Sequence, residues 1–245
     1  MSYTYSVMKD NLVGEGNFYG PYTTAGPGTL NAHQYIPGDP YYNPDADYTN
    51  SLLDVPHRFI VAPIYELPFG KGKAYANSSD AADWILGGWT VSAAINMQSG
   101  FPLAVVQSDN TGTFGGVQRP NLVSGVDLST PGSYEDRQAS ADHPTAAWLN
   151  PAAFAAATPF TFGNAPRTLT DQRTPNTYNV DAVIMKNVRF GSKTFQAKLE
   201  MLNMLNRVNV RAIRGANTFG NSNFGRTTLQ SGFMRIMQFT FRFSF

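Results

Sequence analysis

Cysteine is absent from the 245-residue chain, which excludes a disulfide scaffold and any thiolate metal site. Charge is scarce: Asp, Glu, Lys and Arg make up 14% and nearly cancel, leaving a formal +1. That balance offers no electrostatic reason for nucleic acid or an acidic polymer as a partner. No run of the sequence approaches the roughly 20 apolar residues that a membrane helix needs. A secretory leader is also missing. The chain opens Met1-Ser2-Tyr3-Thr4-Tyr5-Ser6, already alternating as a strand does, without a basic segment followed by an apolar one. A secreted or membrane protein that starts this way is expected to be a truncated piece. Its length suits one sizeable domain or part of a larger one.

Aromatic residues and turn formers are plentiful, with 17 Phe, 12 Tyr, 22 Gly and 16 Pro. Many aromatics, many chain-turning residues and few helix-building charges favour an all-β fold with long irregular loops. The stronger signal is period two, because successive side chains of a strand point to opposite faces. In the last segment Met237, Phe239, Phe241, Phe243 and Phe245 share one face, and Gln238, Thr240, Arg242 and Ser244 share the other. Such a stripe on a soluble edge strand would invite aggregation. Against lipid tails it is in its preferred solvent, with the polar face turned to a wet lumen.

Five further segments alternate: Ser2–Met8, Arg58–Leu67, Trp89–Gln98, Val180–Arg189 and Phe195–Met201. In Phe195–Met201 the apolar Phe195, Ala197, Leu199 and Met201 oppose Gln196, Lys198 and Glu200. Ile60 and Ile64 blur the polar face of the second segment, and Val183 and Met185 blur that of the fourth. Counted back from Phe245, long and short connections alternate. Roughly 30 residues precede the last strand, about five (Phe190–Thr194) precede the one before it, then come roughly 80 and about 20. The segment Lys9–Pro56 is long again. Short periplasmic turns and long outward loops give this alternation in outer-membrane barrels, and they put the C-terminus on the periplasmic side. The fold expected is therefore all-β, about six antiparallel transmembrane strands of a larger barrel with long extracellular loops.

Several strings then follow one another in the order of a known family. They include Asp54-Val55-Pro56-His57-Arg58-Phe59, Leu86-Gly87-Gly88-Trp89, Gln98-Ser99-Gly100-Phe101-Pro102 and Arg119-Pro120-Asn121. Trp148-Leu149-Asn150-Pro151-Ala152-Ala153-Phe154, Phe162-Gly163-Asn164, Asn203-Met204-Leu205-Asn206 and Phe224-Gly225-Arg226 come after them. Over nearly the whole chain this resembles the C-terminal barrel segment of Oar-like TonB-dependent receptors, which carry a carboxypeptidase-regulatory-like domain. The pattern departs at Met201-Leu202, where an aromatic run is usual, and at Pro63. Proline removes a ladder donor, so a bulge or strand end is expected there.

The resemblance implies an integral outer-membrane location, a plugged barrel and energised uptake of a ligand. Residues 1–245 would be the C-terminal part of that barrel, with the plug, TonB box and signal peptide absent. The partners implied are outer-membrane lipid, the remaining barrel and plug, the barrel assembly machinery, and a TonB complex reached through the N-terminal part. No cofactor is implied. Met237, Phe239, Phe241, Phe243 and Phe245 would be the C-terminal signal read by the assembly machinery.

The residues with chemical potential each have a plainer role open to them. His57, beside Arg58 and near Asp54, has no Ser or Cys nucleophile pattern with it; hydrogen bonding that anchors the returning loop suits it better than catalysis. No enzyme activity is expected. Phe69-Gly70-Lys71-Gly72-Lys73 lacks phosphate-loop spacing and reads as a basic turn whose cations meet lipid head groups. Asp45, Asp47 and Asn50, with Asp39 upstream, are hard oxygens that could hold calcium. Their spacing is not that of an EF-hand loop, and a solvated loop is the plainer reading. Lys198, Glu200, Gln238, Thr240 and Arg242 are expected to face the lumen. Tyr3, Tyr5, Trp89 and the terminal phenylalanines could form aromatic girdles. The rival reading is a secreted soluble β-sandwich that binds carbohydrate; it requires the terminal phenylalanines to be buried against a second sheet.

Overall fold

The alternating segments become neighbouring strands of one antiparallel sheet. A computed structural model describes residues 1–10, 48–77, 80–108, 117–138, 143–161, 163–210, 217–227, 230 and 232–245. The strands are β1 (Ser2–Tyr5), β2 (Lys9–Asp10), β3 (Thr49–Asn50), β4 (His57–Val61), β5 (Ile64–Glu66) and β6 (Trp89–Gln98). They continue with β7 (Pro102–Leu103), β8 (Gln107–Ser108), β9 (Val117–Gln118), β10 (Asn121–Leu122) and β11 (Phe154–Ala155). The last are β12 (Leu169–Arg173), β13 (Thr177–Phe190), β14 (Lys193–Leu202) and β15 (Ile236–Ser244), and one helix, α1, spans Asp80–Leu86.

The large sheet runs β1-β4-β6-β13-β14-β15, with β5 also paired to β6. β4 and β5 are two halves of one line. Val61 lies opposite Ile95 and Ile64 opposite Ser92, an equal advance on both strands. Pro63 therefore interrupts the ladder without inserting a residue, and the bulge offered as one alternative is not formed. The reason is local: Pro63 lacks an N–H but keeps its carbonyl, which accepts from Ala93 N at 3.0 Å. β6 and β14 have 10 residues each, β13 has 14 and β15 has 9. Those lengths reach the roughly 9–11 residues that a tilted strand needs to cross a bilayer core.

Between β13 and β14 the connection is shorter than the sequence suggests. Phe190 pairs with Lys193 and Arg189 with Thr194, so only Gly191 and Ser192 remain to turn the chain. Gly191 has φ +60°, the conformation that a two-residue hairpin asks of its first residue and that glycine adopts freely. Gly191→Ala should cost about 1–2 kcal/mol. The check is the urea midpoint of the detergent-extracted chain; an unchanged midpoint would refute the turn assignment.

Three long connections, β1 to β4, β6 to β13 and β14 to β15, leave the sheet at the same end. A hydrophobic core cluster lies among them and not beneath the sheet: Leu103, Val105, Leu149, Ala153, Phe154, Leu169 and Phe224. The short pairs β2–β3, β7–β12, β8–β9 and β10–β11 organise this cap. A sheet with lipid on one side and water on the other needs no core of its own. Loops standing in water do.

Candidate functional site: a membrane wall and its loop cap

Register assigns every side chain of the wall to a face. Phe195 pairs with Phe243, Ala197 with Phe241, Leu199 with Phe239 and Met201 with Met237. The same face continues through Ile184 and Val91 to Tyr65, and through Val180 and Ile95 to Val61. At its far edge stand Phe59 and Tyr3. The terminal phenylalanines are exposed, Phe241 at 68%, and its ring stacks on Phe195 with centroids 6.2 Å apart. The soluble sandwich required these rings to be covered, so their exposure corrects that rival.

The opposite face collects the polar residues named from the sequence. Lys198 pairs with Thr240, Glu200 with Gln238 and Gln196 with Arg242, and Lys198 meets Glu200 at 3.0 Å. The residues that blurred the pattern sort cleanly. Ile64 and Val183 are both opposite Ser92, and Met185 is opposite Thr90, so all belong to the polar face. Their hydrophobicity hid which way β13 faces.

Lys186 is the converse, a cation at an apolar-face position. It is buried and its ammonium donates to Gly87 O and, at 3.3 Å, to Ile85 O. These carbonyls end α1, the negative end of a helix. Ile85 O also accepts from Trp89 Nε1 at 3.0 Å, and Trp84 meets Phe190 edge-on at 4.6 Å. α1 thus lies on the apolar side of the shorter-turn rim. Beside it Lys71 and Asp80 pair at 2.6 Å in the open; that bond raises the lysine's pKa and lowers the carboxylate's. Asp80–Leu86 reads from the sequence only as part of a connection. Its signal is the acidic first turn of Asp80 and Asp83, followed by Gly87-Gly88.

At the opposite rim, Tyr3 and His57 are hydrogen-bonded between Oη and Nδ1 at 2.8 Å, beside Tyr5. Asn50 sits in the β2–β3 pair opposite Lys9. Asp39, Asp45 and Asp47, the rest of the calcium candidate, lie outside the described residues.

The strings that carried the resemblance prove to be the fastenings of wall and cap. Asp54, almost fully buried, accepts from Met8 N at 2.7 Å and from Arg173 Nη2 at 2.6 Å. Gly100 donates its N–H to Asn176 Oδ1, and a Cβ there would overlap Thr174 O. Asn121 and Asn164 each accept the other segment's N–H, Leu122 donating at 2.7 Å and Asn164 at 3.0 Å. Asn150 Oδ1 caps the turn at Pro151–Ala153 through Ala152 N. Asn203 accepts from Arg207 N, and its amide donates to Arg207 O and Phe233 O. A second buried pair, Arg167 with Asp10 at 2.7 Å, ties the cap to β2.

An antiparallel wall with one lipid-compatible face, strands of bilayer length and loops gathered at one end defines an integral outer-membrane β-barrel protein. No described helix is long and apolar enough to cross a membrane. A family model for an outer membrane beta barrel domain matches residues 1–238, and the chain belongs to that family. No match was found among curated proteins or among solved structures.

Proposed function

We propose that this chain is the C-terminal wall of an Oar-like TonB-dependent transporter, with its polar face lining a plugged lumen and its cap outward to meet ligand. The observation that carries the plug is on the polar face. Ile60 and Ile64 are exposed there, Ile64 at 75%, and Val183 lies two strands from Ile64, with Ser92 of β6 between them. Apolar side chains grouped on a wall that otherwise meets water favour a polypeptide filling over an open channel. The edges favour further strands. Among the described residues β1 and β15 each have one partner in the sheet, and an unpaired edge is costly in a bilayer core. A photo-crosslinking residue at Lys198 or Gln238 should capture a plug polypeptide in native outer membranes, with a yield that changes when the proton gradient is collapsed. Labelling of that face by water-soluble reagents alone, indifferent to the gradient, would overturn the transporter reading and leave an open channel. The terminal Met237–Phe245 stripe is, on this reading, also the segment read during barrel assembly.

A further inference from the structure

The cap holds an open cavity of about 530 Å³ just above the tops of β6 and β13, within the size range of small-ligand sites. Three arginines line it, Arg137, Arg173 and Arg207, against two carboxylates, Glu135 and Asp171. Arg173 is spent on Asp54. The other two have no ion-pair partner among the described residues.

Their placement is built by aromatic rings. Arg137 lies over Trp148, 3.8 Å from the ring centroid to the guanidinium carbon, and Arg207 lies over Tyr134 and Tyr178 at 5.1 and 5.6 Å. Trp148 and Tyr134 meet edge-on at 6.0 Å. Trp148 is fixed in turn by Nε1–H donating to Arg173 O at 2.7 Å. Arg137 donates Nη2–H to Trp148 O at 3.0 Å, and burial lowers its pKa from the ordinary guanidinium value, though it stays charged at neutral pH. The Nε atoms of both arginines are buried without a partner. The guanidinium of Arg207 donates to nothing among the described residues.

A half-buried guanidinium stacked on rings keeps its plane and presents a fork that matches carboxylate and phosphate. Two of them in one cavity, neither in an ion pair among the described residues and both with an unpartnered Nε, offer forks that suit an anion even with Glu135 and Asp171 on the rim. We propose that this cavity binds an organic anion through a phosphate or carboxylate group held by Arg137 and Arg207, with Trp148 and Tyr134 holding the two guanidinium planes in place. Tyr178 belongs by register to the apolar face, opposite Met97, and Arg207 lies over it, which puts Arg207 at the membrane-facing rim of the cap. Its anion can therefore come from an outer-leaflet glycolipid head group or from solution. The site does not depend on a plug or on TonB.

The test is calorimetric titration of the chain, extracted in detergent from outer membranes and stripped of lipid. The probes are inorganic phosphate, D-glucuronate, and nanodiscs of phosphatidylcholine carrying a phosphorylated glucosamine glycolipid. Saturable heat is expected with at least one probe, weakened about tenfold or more in Arg207→Gln and in Arg137→Gln and unchanged in Lys198→Gln. Arg207→Lys, which keeps the charge and loses the fork, should fall between wild type and Gln. Response to soluble probes assigns a dissolved ligand, and response to the glycolipid nanodiscs alone assigns the head group; either supports the site. No saturable heat with any probe would overturn it. So would heats equal to those of wild type in both Gln variants when their caps resist protease as the wild type does.

Discussion

Asp54→Ala should cost about 3–5 kcal/mol in the cap, towards the lower end because the Arg173 side chain keeps 23% exposure. The carboxylate is 1% exposed. It joins three segments: the end of the first long connection, Met8 through its N–H, and β12 through Arg173. Arg173 also donates to Asp54 O and Gly100 O, so one guanidinium holds the feet of two loops together. Removing the carboxylate strands a largely desolvated cation and leaves Met8 N without its acceptor. Protease cleavage of outer-membrane-embedded chain checks this. Cuts within 99–176 should appear while β13–β15 stay protected, because the wall owes its stability to lipid and ladder bonds. Arg173→Met added to Asp54→Ala should recover part of the loss, as replacing both partners of a buried ion pair often does. A cap that stays resistant in the single variant would show that the pair does not hold it.

The second large effect is on the wall. Phe241→Arg should cost about 2–4 kcal/mol, the range for a cation on the lipid face near the bilayer midplane. Phe241 stands near the middle of β15, opposite Ala197 and stacked on Phe195. Thr240, its neighbour in sequence, pairs with Lys198 on the other face, and Thr240→Arg should cost little. The amount of urea-resistant chain in outer membranes compares the two. Equal losses from both would mean that the facing is wrong.

The period-two pattern was legible because a membrane wall sorts its side chains by solvent, residue by residue. β6, β14 and β15 were read with bounds close to those found. β13 was the least clear, and the reason is physical. A lysine sits on its apolar face, satisfied by the carbonyls that end α1, and Val183 and Met185 sit on its polar face. Each breaks the alternation for the sake of a partner distant in sequence. The family strings were legible as strings, but what they do was not. Gly100 and Asp54 matter because of Thr174 and Arg173, more than 70 residues further on.

The anion site left no mark in the sequence for the same reason. Arg137, Trp148 and Arg207 have no shared spacing, and lone arginines in loops are ordinarily solvated. By itself, then, the sequence determined the fold class, the strands of the large sheet, their two faces and the end at which the loops gather, because each rests on local alternation and on chain length between turns. Tertiary structure alone decided that the loops have a core, that Pro63 leaves the register intact, and that two guanidinium groups stand on aromatic rings without an ion-pair partner among the described residues. Those outcomes depend on contacts between distant segments, which closure of the loops creates and no local pattern encodes.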